Sequence, residues 1–182
     1  MIPIYLNSEG QGLDFDTFNA QLLDICREHQ AQRRALAFAF ILYDFDNPHV
    51  AKILHDGEYW QALNKTSGKW LTVFSINYRK PLTELTQTGF MTTPLTEISP
   101  SGKTNSLIAK YFGPNIQVSY PAILFFQVKG KKMIDSLLVD LHQEDIEPAF
   151  RESQVYIFRA VEALKRITPA NVRHSTKRFL IA

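Results

Sequence analysis

Residues 35–54 of the chain, ALAFAFILYDFDNPHVAKIL, carry the pattern on which the prediction of the fold depends. The stretch begins with an apolar run, residues 35–43, and a short apolar run that ends at turn residues is typical of a strand buried on both faces. A polar corner follows, and Pro48 suits the first position of a helix that Asp46 or Asn47 can cap. We therefore predict a central β-strand that leads directly into a helix. In open α/β sheets, ligands bind at the carboxyl ends of such strands.

The length and composition are those of an ordinary globular protein with one domain. The chain has 182 residues, of which 45% are apolar and 21% charged, and its net charge of +2 favours neither nucleic acid nor a membrane surface as the main partner. The single cysteine excludes an intramolecular disulfide and fits a reducing compartment. The N-terminus lacks the pattern of a signal peptide, and no run approaches the roughly 18 apolar residues of a spanning helix. We expect a cytoplasmic protein that does not enter a membrane.

Hydrophobic periodicity along the rest of the chain predicts the remaining elements of an α/β domain. In chain order, the predicted elements are strand 2–6, helix 15–33, strand 35–43, helix 48–65, strand 70–76, helix 105–112, strand 122–128, strand 132–139 and helix 143–167. The order is β-α-β-α-β-α-β-β-α. Strands joined through helices should be parallel, and the last two strands, joined by a short turn, should form an antiparallel hairpin.

Apolar stripes on the predicted helices indicate which side chains face the core. Cys26 lies on the stripe of the first helix, so we expect a buried, unreactive thiol rather than a nucleophile. The predicted inward stripe of the last helix consists of Ile146, Phe150, Ile157, Phe158, Val161 and Leu164.

Two segments lack any sustained period. The first, at about 77–103, is rich in Pro, Gly, Thr and Ser and predicts a long insertion, a kind of connection that is often functional. The second, 168–182, predicts a basic C-terminal tail after a domain that spans 1–167. Three basic residues of this tail give nucleic acid as a weaker candidate partner. They are Arg173, Lys177 and Arg178.

The order of elements resembles the thioredoxin-like fold, a three-layer sandwich whose mixed sheet ends in an antiparallel hairpin. Two local sequences agree with the resemblance. Residues 41–45, ILYDF, resemble the second strand of thioredoxins, and residues 119–126, SYPAILFF, resemble the segment in which that family places a cis-proline before the hairpin. The resemblance covers residues 2–167 and implies that the peptide bond before Pro121 is cis.

The chain departs from thioredoxins at the position of their chemistry. The family carries Cys-x-x-Cys where the helix after the second strand begins, whereas residues 46–50 of this chain are DNPHV, without sulfur. Thiol–disulfide exchange needs a thiolate and a second thiol that resolves the mixed disulfide. We therefore expect no oxidoreductase activity and no cofactor, and we interpret the chain as a module that binds a protein or peptide.

The resemblance also implies a groove between this corner and the loop before the hairpin. The backbone of Tyr120 could pair there with an extended peptide. The spacing of the histidines predicts no metal site. The candidate groove residues are Asp46, Asn47, His49, Arg79, Tyr120 and Pro121.

An enzymatic alternative starts from the same corner. Asp44-x-Asp46 after an apolar strand resembles the first motif of haloacid dehalogenase-type phosphatases, in which the first Asp is the nucleophile, the second a general acid, and Mg²⁺ neutralises the phosphate. Ser75 would bind the phosphate, and Asp140 and Asp145 would hold the metal. The chain departs from that family in the two residues that follow the second Asp. We keep a Mg²⁺-dependent phosphohydrolase as the alternative function.

Overall fold

The computed structural model describes residues 1–6, 12–43, 57–77, 100–141 and 146–166. These residues form an α/β domain with six strands and four helices. The strands are β1 (Ile2–Tyr5), β2 (Leu13–Asp14), β3 (Ala37–Leu42), β4 (Leu71–Asn77), β5 (Ala122–Lys129) and β6 (Lys132–Asp140). The helices are α1 (Phe15–Ala31), α2 (Gly57–Ser67), α3 (Pro100–Phe112) and α4 (Ile146–Arg166).

The six strands form one mixed sheet in the order β2-β1-β4-β3-β5-β6. β1, β4 and β3 are neighbours and run parallel, as strands joined through long connections were predicted to do. β5 lies antiparallel to β3, and β6 pairs antiparallel with β5. The predicted mixed sheet with a C-terminal hairpin is therefore confirmed. β2, which the sequence did not predict, adds two residues parallel to β1.

The direction of the strands gives the sheet two unlike edges. Since β5 is antiparallel to both of its neighbours, β6 runs in the same direction as β3. β1, β3, β4 and β6 therefore all end, and β5 begins, along the same line across the strand ends. We call this line the carboxyl edge; it is distinct from the outer strands β2 and β6. The register places Leu42, Ala122 and Asp140 side by side at this edge.

The core has two layers because β3 is completely buried and its side chains alternate between the two faces of the sheet. One layer includes Phe38, Phe40 and Leu42 together with residues of α1 and α3, and we call it the phenylalanine face. The other includes Ala37, Ala39 and Ile41 with residues of α2 and α4, and we call it the alanine face. The central strand therefore separates two hydrophobic layers, as its continuous apolar sequence predicted.

Helix α1 begins where its sequence predicts. The Asp14 carboxylate accepts hydrogen bonds from the backbone N–H groups of Asp16 (3.1 Å) and Thr17 (3.0 Å), so it caps the helix. Hydrogen bonding by the Thr17 side chain and then by its backbone N–H favours the ionised carboxylate and lowers the pKa of Asp14, and the Asp16 N–H adds to this. The buried stripe of the helix consists of Phe15, Phe18, Leu22 and Cys26.

Helix α3 is longer than predicted. It begins at Pro100 rather than at Asn105, so the end of the predicted insertion is helical. Proline fits the first turn of a helix because the N–H group it lacks would have no partner within the helix. Gly102 lies inside the helix, where its carbonyl accepts a hydrogen bond from the Ser106 hydroxyl at 2.8 Å. The Pro and Gly residues that indicated a loop are tolerated here.

The predicted inward stripe of α4 is wrong at one position. Phe158 is 54% exposed, whereas its neighbour Ile157 is fully buried. Successive residues of a helix lie about 100° apart, and here Ile157 takes the position that faces the sheet while Phe158 lies on the exposed side. The buried stripe of α4 also includes three small residues, Ala149, Ser153 and Ala160.

Helix α2 is described from Gly57 to Ser67, and Gly68 follows it with a positive φ of 53°, as predicted for a helix end. Its predicted first part, 48–56, lies outside the described residues, as do 78–99 of the predicted insertion and the predicted tail 168–182. None of the four described helices is long and apolar enough to cross a membrane.

Candidate functional site at the carboxyl edge

The structure describes two of the six predicted groove residues, Tyr120 and Pro121. They lie at the carboxyl edge, since β5 begins at Ala122, beside the end of β3 at Leu42. The corner predicted to form the other side of the groove follows β3 directly in the sequence. The predicted groove residues Asp46, Asn47, His49 and Arg79 lie outside the described residues, as do the basic residues Arg173, Lys177 and Arg178.

Pro121 joins the entrance of β5 to the end of β6. The Tyr120–Pro121 peptide bond is cis, so this prediction is confirmed. Pro121 is buried, and its carbonyl accepts a hydrogen bond from the backbone N–H of Leu141 at 2.9 Å. This hydrogen bond extends the pairing of the two hairpin strands by one residue beyond β6, and it fixes the backbone of Pro121 to that of Leu141.

Tyr120 connects the same entrance to helix α3. Its half-buried ring packs against the phenylalanine face, and its hydroxyl donates a hydrogen bond to the Asn105 Oδ1 at 2.5 Å. Asn105 is exposed on the first half of α3. The sequence analysis did not include Asn105 in the site, because no local pattern indicates a contact between side chains 15 residues apart.

The segment before Pro121 has the side-chain alternation of an extended chain. Its half-buried residues pack on the phenylalanine face and alternate with exposed ones, which is the period of two that extended backbone produces. The half-buried residues are Ile116, Val118 and Tyr120, and the exposed ones are Asn115, Gln117 and Ser119. The segment is not one of the six strands of the described sheet. We call residues 115–120 the approach segment.

The structure describes two of the five residues of the alternative phosphatase site, Ser75 and Asp140. Asp140 is exposed and reaches the carboxyl edge, because β6 runs in the direction of β3. Ser75, however, is fully buried inside β4, which continues to Asn77. A side chain in that position cannot contact a phosphate ester in the solvent. Asp44, Asp46 and Asp145 lie outside the described residues, and among those that are described no group of three or more His, Cys, Asp or Glu could hold a metal ion.

The cysteine is unsuited to chemistry. Cys26 is fully buried in the second half of α1, and burial in apolar surroundings raises the pKa of its thiol. Since the thiolate is the reactive form, the thiol is inert in the folded protein. This agrees with the prediction that Cys26 is a small core residue.

A histidine near the opposite edge of the sheet has a structural role. The Nδ1 of His29 lies 2.8 Å from the Thr72 Oγ1, at hydrogen-bonding distance. Burial and, to a smaller extent, the nearby Arg34 guanidinium lower the pKa of His29, since both disfavour the charged imidazolium. The neutral ring therefore ties the end of α1 to β4.

Comparison of the chain with models of known protein families, with curated proteins and with solved structures found no match. The function must therefore be argued from the residues and geometry of the chain itself.

Proposed function

We propose that the chain is a thioredoxin-like domain without redox chemistry, which binds an extended segment of a protein or peptide at the carboxyl edge. The observation that carries the proposal is the approach segment, which is extended in its side-chain pattern, borders the carboxyl edge and leads into the central part of the sheet. An extended backbone can pair with a second extended chain, which is how β-strand addition recognises peptides.

The order of the strands supports the thioredoxin-like part of the proposal. Without the two-residue β2, the sheet runs first, third, second, fourth, fifth strand, with the first three parallel and the last two antiparallel to their neighbours. The parallel first three strands and the antiparallel hairpin agree with what the resemblance implies. The central strand of the sheet is the one whose carboxyl end adjoins the candidate groove.

The single cysteine supports a function without redox chemistry. The sequence contains one cysteine, and Cys26 is buried in α1. A disulfide exchange reaction needs an accessible thiolate and a second, resolving thiol. We therefore expect dithiothreitol to reduce the disulfides of insulin at the same rate with and without the purified protein. Faster reduction would contradict the proposal.

Tyr120 is the proposed anchor for the bound chain. Its ring is half-buried and its hydroxyl is held by Asn105, so a ligand would meet an aromatic side chain whose position is already fixed. Aromatic residues with little conformational freedom to lose are frequent hot spots of binding. The exposed row of the approach segment, which is polar, would form the rim of the site.

The test is a selection of random peptides on phage against the full chain, followed by titration of the selected peptides. We expect selected peptides to bind Tyr120→Ala roughly tenfold or more weakly, as is typical for the loss of a hot-spot side chain. Asn105→Ala should weaken binding less, because it leaves the ring in place. Tyr156→Ala, which removes a half-buried tyrosine of α4, is the matched control and should bind normally.

Two results would contradict the proposal. One is a selection that enriches no peptide. The other is a set of peptides whose affinity falls equally in Tyr120→Ala and Tyr156→Ala, since that would reflect general destabilisation. The thermal midpoint of each variant, followed by circular dichroism, identifies this case.

A further inference from the structure

The outer face of helix α4 exposes two large hydrophobic side chains one turn apart. Val155 is 44% and Phe158 54% exposed, whereas the opposite side of the helix packs on the alanine face. The other large hydrophobic residues exposed in the described part of the chain lie elsewhere, Leu36 just before β3 and Ile134 on β6. An exposed apolar pair on one helix face is a candidate contact surface.

The residues along this outer face have the spacing of a helix-pairing seam. Arg151, Val155, Phe158, Glu162 and Lys165 follow one another at intervals of four, three, four and three residues. The same alternation of four and three places residues at the a and d positions of coiled coils, where two helices meet. Here the centre of the seam is apolar and its two ends are charged.

The charges on this face are arranged so that the helix complements itself when reversed. Val155 and Phe158 are equally distant from the point between residues 156 and 157, half a residue from the middle of α4. So are Arg151 and Glu162. Farther out, Glu147 and Arg166 form a third such pair. In two antiparallel copies of α4, Arg151 would therefore lie opposite Glu162 of the other copy, and Arg166 opposite Glu147.

We propose that the outer face of α4 is a self-association surface and that its occupant is the α4 helix of a second copy of this chain, antiparallel and related by a two-fold axis. Each Val155 then contacts Phe158 of the second copy, and each Arg151 lies opposite Glu162 of the second copy. The reversed charge pattern favours this occupant, since an unrelated partner would not require the acidic and basic positions to mirror each other.

The ion pairs within α4 are compatible with this arrangement. Arg151 pairs with Glu147 at 2.8 Å, and Lys165 pairs with Glu162 at 2.7 Å. Their side chains are 33–72% exposed, so solvent screens both pairs and a second, opposite charge can approach. In the dimer each of these pairs would join a network across the two-fold axis.

The size of the surface sets the expected strength. A helix of 21 residues is about 32 Å long, and one helix pair covers less area than a standard interface of about 1,600 Å². We therefore expect a weak, reversible dimer. Sedimentation equilibrium of the full chain up to about 1 mM should show the molar mass rising from that of a monomer toward that of a dimer.

Charge reversal supplies the decisive variants. Arg151→Glu and Glu162→Arg should each weaken association about tenfold or more, because like charges then meet across the axis. The double variant should regain most of the loss, since the pair is restored with its signs exchanged. Phe158→Ser should also weaken association, whereas Ile134→Ser, which removes a 41% exposed side chain of β6, should not.

Three outcomes would overturn the proposal. The first is a wild-type protein that stays monomeric over the whole concentration range. The second is a double variant that associates as poorly as the single variants. The third is an Ile134→Ser variant with the same loss as Phe158→Ser. Circular dichroism of every variant distinguishes a loss of association from a loss of folding, because unfolding would lower the helix content.

Discussion

The two faces of the central sheet reach the same burial with opposite side chains. On the phenylalanine face, β3 contributes Phe38 and Phe40, whose rings stack 5.6 Å and 5.1 Å from that of Phe126. On the alanine face, the same strand contributes Ala37 and Ala39, which are also fully buried. The strand itself fills the space on one face, whereas on the other face the residues of α2 and α4 fill it. We therefore expect a loss of side-chain volume to destabilise the phenylalanine face and a gain of side-chain volume to destabilise the alanine face.

The largest effect is expected from a cavity on the phenylalanine face. The ring of Phe40 lies 5.9 Å from Phe18 and 5.4 Å from Phe74, and it is fully buried. Phe40→Ala should lower the free energy of unfolding by about 3–5 kcal/mol, measured by urea denaturation. The control Phe158→Ala, which shortens an exposed ring, should change it by less than about 0.5 kcal/mol. A loss for Phe40→Ala as small as that of the control would mean that this face is not tightly packed.

The alanine face should respond to added volume. Ala39 lies opposite Val73 on one side and Phe125 on the other, so the backbone of β3 cannot move away from a larger side chain. Ala39→Leu should destabilise the protein by about 1–3 kcal/mol in the same urea assay. Ala109→Leu, on the exposed side of α3, is the matched control and should be close to neutral. Equal stability of Ala39→Leu and wild type would show that this face has spare room.

Directly before the outer strand β2, a glycine makes room for an aromatic ring. Gly12 has a φ of +142°, and a Cβ atom there would collide with the ring of Tyr5. Gly12→Ala should destabilise the protein by about 1–3 kcal/mol, because both the backbone conformation and the contact become unfavourable. Gly57→Ala is the control, since a Cβ at Gly57 meets nothing within 4 Å, and it should stabilise by about 0.5–1 kcal/mol. Thermal unfolding of the two variants should therefore shift in opposite directions.

The smallest effect concerns His29, which lies beside Thr72 at the margin of the phenylalanine face. Its pKa is lower in the folded than in the unfolded protein, so the unfolded state binds more protons as the pH falls through the usual range of histidine, about 6.5. The free energy of unfolding should drop between about pH 7.5 and pH 5, by less than about 1 kcal/mol because the ring is partly solvated.

The variant His29→Gln isolates this contribution. Its stability should depend less on pH over that interval, since glutamine does not titrate. The Asp14 carboxylate also has a lowered pKa, but its contribution is lost only at lower pH, through and below the usual range of carboxyl groups, about 4. An identical pH dependence of wild type and variant between pH 7.5 and pH 5 would contradict the assignment.

Sequence alone predicted the elements whose patterns are local and strong. The continuous apolar run gave β3 and its burial on both faces, and Asp14 gave the start of α1. Phe158 was placed inward because it is apolar and follows Ile157, but it lies about 100° around the helix from that residue, on the exposed side. β2 was missed because two residues are too short for any period to be seen.

The candidate site was predictable only where a resemblance supplied long-range information. The cis bond before Pro121 was expected from such a resemblance, and the structure contains it. The hydrogen bond between Tyr120 and Asn105 depends on how α3 lies beside the entrance of β5, and no periodicity encodes that placement. The corner at 44–50, on which most of the predicted groove depends, lies outside the described residues.

The single cysteine makes chemical labelling a measure of how often the protein opens. Cys26 is inaccessible in the folded chain, so a thiol reagent modifies only those molecules in which α1 has separated from the sheet. When reclosing is faster than labelling, the rate of modification at a fixed pH gives the population of open molecules. The natural chain thus reports its own local unfolding free energy at α1, without an added probe or a substitution.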